Sequence, residues 1–269
     1  MHCWLAATRV PQQRRWAKKH LRGIWQPPRC QRPVHLPRVA ADGVISQNAS
    51  LVEMAGVKPS DVQSSYDRVA DEYVRRIYDE LQHKPLDRYV LDRFADCVRL
   101  VGPACDMGCG PGHVARYLHE RGVRMCGVDL SAEMVERARR LNPGIAFMQG
   151  NMLALDAEAE AWAGIAAFYS IIHIPRGDVV RALRELRRVL SPGGLLLLGF
   201  HLGDDAIHLD DWWGNKVCVD FFFFRSGEMA GYLKSAGFEI EEIVERDPYP
   251  EVEHQSRRAY IFARKEREC

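Results

Sequence analysis

The chain has 269 residues, the length of one domain of moderate size with additional segments. Its net charge is +1, and its longest apolar run, from Leu195 to Phe200, is much too short to span a membrane. These features exclude an integral membrane protein with helical spans, and the balanced charge gives no indication of a polyanionic partner.

Basic residues are concentrated at the N-terminus. No acidic residue precedes Asp42, whereas nine of the 37 lysines and arginines do, so the remaining 28 face 36 acidic residues and the rest of the chain carries about −8. Residues 1–53 are also rich in proline. A nucleic-acid-binding arm, an organelle transit peptide and a disordered extension are the alternatives. We favour a disordered segment, or an extension that precedes a biological start at Met54, over a functional arm.

The cysteines do not follow a disulfide or zinc-site pattern. None of the eight forms a C-x-x-C pair, and three of them lie in or beside a predicted buried unit: Cys105, Cys109 and Cys126. This pattern is typical of a reduced cytoplasmic protein, which is the localisation we predict.

Two helices are predicted before the central motif. Asp61 to His83 carries an apolar stripe at helical spacing that includes Tyr66 and Tyr73, and Pro85 ends it. Leu86 to Val98 supplies the second helix. Residues 54–100 are therefore predicted to form N-terminal cap helices.

The segment Ala104 to Asp129 has the pattern of a nucleotide-binding βαβ unit. A short apolar run leads to glycines at alternate positions (Gly108, Gly110 and Gly112), and then come an amphipathic helix, a second apolar run and Asp129. Glycines allow a sharp turn and a close approach of backbone N–H groups to a ligand. An acid at the end of the second strand can accept hydrogen bonds from both hydroxyls of a ribose.

The same segment argues against a dinucleotide. The dinucleotide fingerprint requires a glycine three residues after Gly110, and His113 occupies that position. Asp106 immediately precedes the loop, where it would repel a pyrophosphate. A carboxylate there favours a ligand with a cationic end, such as an α-amino group or a sulfonium.

The later elements continue the alternation of helices and strands. They are a helix capped by Ser131, strands at 145–149, 162–170 and 195–200, helices at 179–190 and 226–237, and strands at 238–245 and 259–264. A polar and aromatic insertion lies near 203–224.

Five segments in order resemble the motifs of class I S-adenosylmethionine-dependent methyltransferases, and most closely the small-molecule enzymes of bacteria. They are DMGCGPGHVARYL, GVDLSAEMVERAR, GNMLALD, AFYSIIHIP and LRRVLSPGGLLLLGF. The resemblance implies an α/β fold, a Rossmann-like doubly wound seven-stranded sheet of order 3-2-1-4-5-7-6 with the last strand antiparallel. It assigns 101–269 to the methyltransferase domain.

The resemblance also implies site residues, with S-adenosyl-L-methionine as cofactor. The expected cofactor-binding residues are Asp106, Gly108, Cys109, Gly110, Gly112, Asp129, Leu130, Asn151, Met152, Tyr169, Ser170, Tyr66 and Tyr73. The two tyrosines are equally well explained as core residues at helical spacing. Expected acceptor-binding residues are His208, Trp212, Trp213, Phe222 and His254.

Histidines near the predicted strand ends are candidates for a general base. His173 follows the fourth strand and is the first candidate, and His201 at the end of the fifth strand is the second. Ordinary polar roles at a pocket rim are an equal alternative. No H-x-x-H or H-x-x-x-H spacing indicates a metal site, and none is predicted.

The predicted reaction is direct displacement of the activated methyl group by a small-molecule acceptor, through oxygen or nitrogen in preference to carbon or sulfur. We expect no nucleic-acid or membrane partner. A non-catalytic module that binds S-adenosylmethionine is the main alternative, and an NAD-dependent oxidoreductase is disfavoured by Asp106 and His113.

Overall fold

The structure is a computed structural model that describes residues 57–266. The prediction of an N-terminal extension over residues 1–53, with a start at Met54, lies outside the described residues. Within 57–266, no helix has the length and apolar character needed to cross a membrane.

The described chain alternates helices and strands from its first cap helix onward. The α-helices are α1 (Pro59–Ile77), α2 (Pro85–Val98), α3 (His113–His119), α4 (Ala132–Leu141), α5 (Arg176–Val189) and α6 (Ser226–Ser235). Short 3₁₀ helices occupy Glu80–His83 and Ile171–His173. The strands are β1 (Ala104–Met107), β2 (Met125–Asp129), β3 (Ala146–Gln149), β4 (Trp162–Phe168), β5 (Leu190–His201), β6 (Ala206–Trp212), β7 (Asn215–Phe222), β8 (Phe238–Arg246) and β9 (Arg258–Lys265).

Seven strands form one sheet, in the order β3-β2-β1-β4-β5-β9-β8. β1 to β5 pair in parallel, and β9 lies antiparallel between β5 and β8. When β6 and β7 are set aside, this is the predicted order 3-2-1-4-5-7-6, which is confirmed. Every residue of β4 is buried, because helices cover both faces of the sheet at its centre.

β6 and β7 form a separate hairpin inside the predicted insertion. Its two-residue loop, Trp213 and Gly214, has positive φ at both positions, 56° and 79°, as a type I′ turn requires. Val217 and Val219 are buried against Val62 of α1. The alternation of apolar residues is visible in the sequence, but tryptophan in place of asparagine at the first turn position hides the hairpin.

Hydrogen bonds fix α1 to this hairpin and to the sheet. The Ser65 hydroxyl accepts from the Cys218 N–H at 2.8 Å, and the Arg68 guanidinium donates to the Lys216 carbonyl at 3.1 Å. On the other side, Asp67 accepts from the Ser131 hydroxyl at the N-terminus of α4. α1 and the hairpin therefore form one cap, which we call the α1–hairpin cap.

The first predicted helix is shorter than expected. It ends at Ile77, and after Tyr78 and Asp79 the chain continues as the 3₁₀ helix Glu80–His83. This break brings Glu80 to the wall of the cavity described below.

Candidate active site

A cavity of about 270 Å³ lies at the C-terminal ends of the parallel strands, where ligands of open α/β sheets bind. Its floor is formed by the segments that follow β1, β2 and β4. Tyr66 and Tyr73 of α1 border it from the cap. The cavity therefore lies between the sheet and α1.

The loop after β1 contains two glycines with positive φ whose surroundings differ. At Gly108, where φ is 71°, a Cβ would lie 2.2 Å from the Cβ of Ser170, so no side chain fits. Gly110, with φ 50°, lines the cavity below Tyr73, and a Cβ there would lie 3.7 Å from Cε1 of the tyrosine ring. Ser170 completes the contact by donating to the Met107 carbonyl at 2.7 Å. The glycine loop thus leaves open backbone at the cavity.

Asp129 borders the cavity at the end of β2, as predicted. Its Oδ2 accepts from the Gly110 N–H at 2.7 Å and its Oδ1 from the Ser131 N–H at 2.9 Å. Burial raises its pKa to about 6, against the two backbone hydrogen bonds. Each oxygen retains a second lone pair, so the carboxylate can still receive two hydroxyls.

Asp106 does not line the cavity. It is 1% exposed, and its Oδ2 accepts from the Ala115 N–H in the first turn of α3 at 2.9 Å. Burial raises its pKa to about 7, although His113 and the Ala115 hydrogen bond act in the opposite direction. Asp106 therefore holds the glycine loop against α3 from behind.

The segment after β3 supplies Asn151 and Met152 to the cavity wall, as expected for an adenine-binding region, and Leu130 lines it after β2. The Asn151 side-chain carbonyl accepts from the Leu153 N–H at 2.9 Å. This local bond fixes the orientation of the amide, which leaves its NH₂ group for a ligand.

Tyr66 and His173 form a hydrogen-bonded pair at the end of β4. Their Oη and Nε2 atoms are 2.7 Å apart, and His173 Nδ1 lies 2.9 Å from the Asp220 carbonyl of β7. A carbonyl only accepts, so Nδ1 carries the hydrogen and Nε2 accepts from the Tyr66 hydroxyl. Burial lowers the pKa of His173 to about 4, and its bond to Asp220 offsets part of this shift. The imidazole is neutral at pH 7.

Tyr169 lies in the cavity wall in a strained backbone conformation, with φ 54°. Its hydroxyl is 2.9 Å from that of Tyr260, and Lys84 and Arg258 approach its ring at 5.7 and 5.6 Å. Buried ion pairs between Arg246 and Asp87 and between Lys84 and Glu253 continue this network. The network holds Tyr169 in place.

Several predicted site residues are not in the cavity wall. Cys109 packs behind the glycine loop, and Gly112 is the N-cap residue that precedes α3. His201 stacks on Phe223 and bonds Ser256 at 2.9 Å, and burial, together with the charge of Arg258, lowers its pKa to about 2. The expected acceptor-binding residues also lie outside the wall: His208, Trp212, Trp213, Phe222 and His254.

The two tryptophans support the wall from behind. Trp212 contacts the edge of Tyr66 with ring centroids 5.4 Å apart, and Trp213 lies 6.2 Å from Tyr73. His208 bonds the Asp220 carboxylate on the partly exposed face of the hairpin. Aromatic character alone does not separate a cavity wall from the layer behind it, because both layers are apolar.

Sequence reasoning missed four polar residues in the cavity wall: Lys58, Glu80, His113 and Asp178. The position of Glu80 in the wall depends on the end of α1 at Ile77, and no proline or glycine marks that end in the sequence. In the sequence, His113 stands out only as the residue at the position of the third glycine of the dinucleotide fingerprint. Among residues 57–266, no group of three or more His, Cys, Asp or Glu side chains is arranged to hold a metal ion.

Residues 104–194 match the family model described as a methyltransferase domain. The chain is 30% identical over 149 residues to malonyl-[acyl-carrier protein] O-methyltransferase of Salmonella typhimurium, covering 53% of this chain and 54% of that protein. It is 36% identical over 139 residues to trans-aconitate 2-methyltransferase of an Azoarcus species, covering 49% and 47%. The chain thus spans about half the length of these curated relatives.

Among solved structures, 1,6-didemethyltoxoflavin-N1-methyltransferase of Burkholderia thailandensis, with S-adenosylhomocysteine bound, has the same fold. The TM-score is 0.56 at 22% identity, over 83% of this chain and 93% of that one. The family match covers β1 through the start of β5, and the sheet order around it is the order that the resemblance implies. Residues 104–194 therefore match a methyltransferase domain, and the described chain has the fold of S-adenosylmethionine-dependent methyltransferases.

Proposed function

We propose that this chain transfers the methyl group of S-adenosyl-L-methionine to an oxygen or nitrogen of a small-molecule acceptor. One observation carries the proposal: a single cavity joins the glycine loop and Asp129 to the Tyr66–His173 pair. The first two features suit a nucleoside ligand, and the pair suits the removal of a proton.

The open backbone at Gly110 and the carboxylate of Asp129 fit the cofactor, since they offer space and paired acceptors in the same wall. S-adenosylmethionine supplies a methyl group that its sulfonium already activates. The residues of this chain are left with binding, alignment and the exclusion of water. α1, with the hairpin packed behind it, borders the cavity and contributes to the exclusion of water.

The Tyr66–His173 pair gives the acceptor proton a path. His173 does not expose a free nitrogen, because Nδ1–H is bonded to Asp220 and Nε2 to Tyr66. We propose that the Tyr66 oxygen takes the proton from the O–H or N–H group of the methyl acceptor while the tyrosine's own hydroxyl proton moves to His173 Nε2. A base with a pKa of about 4 is weak. It receives this proton only as methylation makes the acceptor O–H or N–H strongly acidic.

The charges of the wall bear on the choice of acceptor. Its described residues include Glu80, Asp129 and Asp178, and Lys58 is the one lysine or arginine among them. A neutral or cationic acceptor is favoured over an anionic one in such surroundings. The relatives named for malonyl and trans-aconitate groups support a small acceptor, but the anionic charge of those groups does not suit this wall.

Two measurements test the proposal. Calorimetry is expected to show binding of S-adenosylmethionine and S-adenosylhomocysteine, with NAD far weaker. Label from the cofactor methyl group is then expected to appear in one or more members of a panel of phenols, alcohols and amines. Tighter binding of NAD than of S-adenosylhomocysteine would refute the proposal. Cofactor binding without transfer to any member of a broad panel would favour the non-catalytic binding module.

A further inference from the structure

Four aromatic side chains form a closed cycle that includes the candidate base, and we call it the aromatic cycle. The ring centroid of His173 lies 5.2 Å from that of Tyr66 and 4.8 Å from that of Phe221. Trp212 completes the cycle, since its centroid lies 5.5 Å from that of Phe221 and 5.4 Å from that of Tyr66. All four contacts are edge-to-face, an arrangement that aromatic rings prefer. The imidazole is therefore held between a ring of α1 and a ring of the hairpin.

The hairpin supplies two members of the aromatic cycle. Trp212 lies at the end of β6 and Phe221 in β7, and both lie outside the cavity wall. Phe221 also packs against the buried valines that join the hairpin to α1. The hairpin therefore contacts His173 from behind the wall.

The hairpin also determines which imidazole nitrogen carries the hydrogen. The carbonyl that accepts from Nδ1–H at 2.9 Å belongs to Asp220, the residue before Phe221 in β7. Turning the imidazole over about its Cβ–Cγ bond would exchange Nδ1 with a carbon atom and break the bonds to both Asp220 and Tyr66. Without the Asp220 carbonyl, either nitrogen can carry the hydrogen, and a hydrogen on Nε2 would prevent that atom from accepting the Tyr66 proton.

Burial against these neighbours keeps the imidazole neutral. It lowers the pKa of His173 to about 4, and the hydrogen bond to the Asp220 carbonyl and the charge of the Asp220 carboxylate offset part of the shift. That carboxylate is 2.7 Å from Nδ1 of His208. From α1, the titratable neighbour is the Tyr66 phenol, whose pKa burial raises well above its usual range, and from α5 Asp178 lines the same cavity. The charge of the imidazole therefore depends on the exclusion of water by the groups around it.

We propose that Phe221 and the Asp220 carbonyl are positioning groups for the base, so that the hairpin orients His173 toward Tyr66 and excludes water from the imidazole. The inference rests on the proposed function, because it concerns the same base. It gives the insertion a task in the reaction even though its aromatic residues lie outside the cavity wall. Trp212, which the sequence suggests as an acceptor-binding residue, supports the Tyr66–His173 pair through the aromatic cycle.

Nitrogen-15 NMR of the unliganded protein at several pH values tests the inference without cofactor or acceptor. In the unmodified protein, His173 is expected to be the Nδ1–H tautomer, with a pKa of about 4. Phe221→Ala opens one side of the imidazole to water, so the pKa is expected to rise by about one unit or more and the two tautomers to mix. Phe221→Leu keeps most of the apolar volume and is expected to resemble the unmodified protein. Phe221→Val, which suits a strand, takes the place of the alanine variant if that protein does not fold.

Activity is the second measurement, with labelled S-adenosylmethionine and an acceptor identified from the panel of phenols, alcohols and amines. Phe221→Ala is expected to lower kcat by about 10- to 100-fold, because the base is misplaced, with unchanged binding of S-adenosylhomocysteine. The fall of kcat at acidic pH is expected to move upward together with the pKa of His173. A KM effect alone would not follow from misplacing the base.

Leu209→Ala is the matched control. Leu209 of β6 packs against the same buried valines as Phe221 but is not a member of the aromatic cycle. Its replacement removes apolar packing between the hairpin and α1 and is expected to leave the tautomer, the pKa of His173 and kcat unchanged.

The outcomes separate this inference from the proposed function. If the unmodified protein does not bind S-adenosylhomocysteine, the proposed function fails, and the NMR result still decides whether Phe221 positions His173. If Phe221→Ala leaves the tautomer and the pKa of His173 unchanged, Phe221 only packs, and the inference is wrong. If Leu209→Ala changes them as much as Phe221→Ala does, the cause is a general loosening of the hairpin, and the inference is overturned.

Discussion

The carboxyl groups of Asp106, which is buried, and Asp129, which is partly buried, have different tasks, although both lie near the end of a strand next to the same loop. Asp129 borders the cavity and accepts from two backbone N–H groups, whereas Asp106 faces α3. Burial raises the pKa of each, to about 6 and about 7. Their charges therefore change near neutral pH, which links cofactor binding and stability to pH.

Asp129→Ala is expected to weaken S-adenosylhomocysteine binding by about 1.5–3 kcal/mol, because it removes the acceptors for the ribose hydroxyls. Calorimetry measures the loss, and circular dichroism checks that the variant is folded. Asp129 also orders Gly110 and Ser131, so Asp129→Asn, which keeps one acceptor oxygen, is expected to lose less. Unchanged affinity in a folded Asp129→Ala protein would contradict the ribose assignment.

Asp106 and Asp129 are expected to lower the stability of the cofactor-free protein as the pH rises from about 4 to about 7, whereas the lowered pKa values of His173 and His201 act in the opposite direction over the same range. Over this range the folded protein keeps protons on Asp106 and Asp129 that the unfolded chain, with carboxyl pKa values near 3.8, has released. The free energy of unfolding, measured with urea at several pH values, reports the slope. Asp106→Asn removes one contribution that lowers stability with rising pH, so the free energy of unfolding of the variant is expected to change more favourably from pH 4 to pH 7 than that of the unmodified protein, and an equal slope would show that Asp106 does not carry the shift.

His173→Ala is expected to lower kcat by roughly 10²–10⁴-fold with cofactor affinity nearly intact, because no base is then present to receive the proton of the methyl acceptor. Tyr66→Phe is expected to produce a similar loss, and the double variant little more than either. Since burial lowers the pKa of His173 to about 4, the unmodified kcat is expected to hold to about pH 5 and to fall as the imidazole becomes protonated. A fall centred near 6.5 would indicate an unburied base.

His201→Ala is the internal comparison for that experiment. His201 lies outside the cavity wall, so its replacement is expected to leave kcat largely unchanged. Nitrogen-15 NMR adds a readout that needs no acceptor: His173 is expected to show the Nδ1–H tautomer. Full activity of His173→Ala with a crippled His201→Ala would move the base to the adjacent strand, and full activity of both would mean alignment alone.

The α1–hairpin cap borders the cavity through α1, and the hairpin supports that wall from behind. Its two parts are 153 residues apart at the Ser65–Cys218 contact, yet they share a buried apolar face and hydrogen bonds. The same helix reaches the sheet through Asp67 and Ser131. Cofactor binding beneath the cap is therefore expected to stabilise both parts together.

Ser65→Ala is expected to weaken the cap by about 1 kcal/mol, because it removes the acceptor of the Cys218 N–H. Hydrogen exchange is expected to speed up across the hairpin and in α1, with little change in the central strands. Ser64→Ala is the control, since its hydroxyl donates to the Asp61 carbonyl within α1. Equal effects of the two substitutions would mean that the hairpin contact adds no stability.

On the scale of the whole molecule, the sheet and its cap account for the fold of residues 57–266. The segment before Met54 lacks core periodicity in the sequence. A protein beginning at Met54 is therefore expected to melt at the same temperature as the full chain and to bind S-adenosylhomocysteine equally well. Calorimetry and thermal melting of both proteins test this, and a large loss of melting temperature would show that the removed segment is structural.

The sequence by itself determined the architecture and the end of the cavity formed by the glycine loop and Asp129. The spacing of Gly108, Gly110 and Asp129 is local, because a strand, a turn and a helix place them within one βαβ unit. The alternation of apolar segments predicted the seven strands, and the family resemblance implied their order. Those features depend on backbone geometry and periodicity, which a linear sequence records.

Only the tertiary structure decided which side chains reach the cavity. Glu80 lines the cavity because α1 ends at Ile77. Asp106 lies outside the wall, where one of its carboxylate oxygens accepts a hydrogen bond from the Ala115 N–H. His173 acquires its partners from α1 and β7, elements 107 and 47 residues away, and these contacts fix its tautomer and its pKa. Such properties arise from burial and from contacts between distant segments, so residue type and spacing did not reveal them.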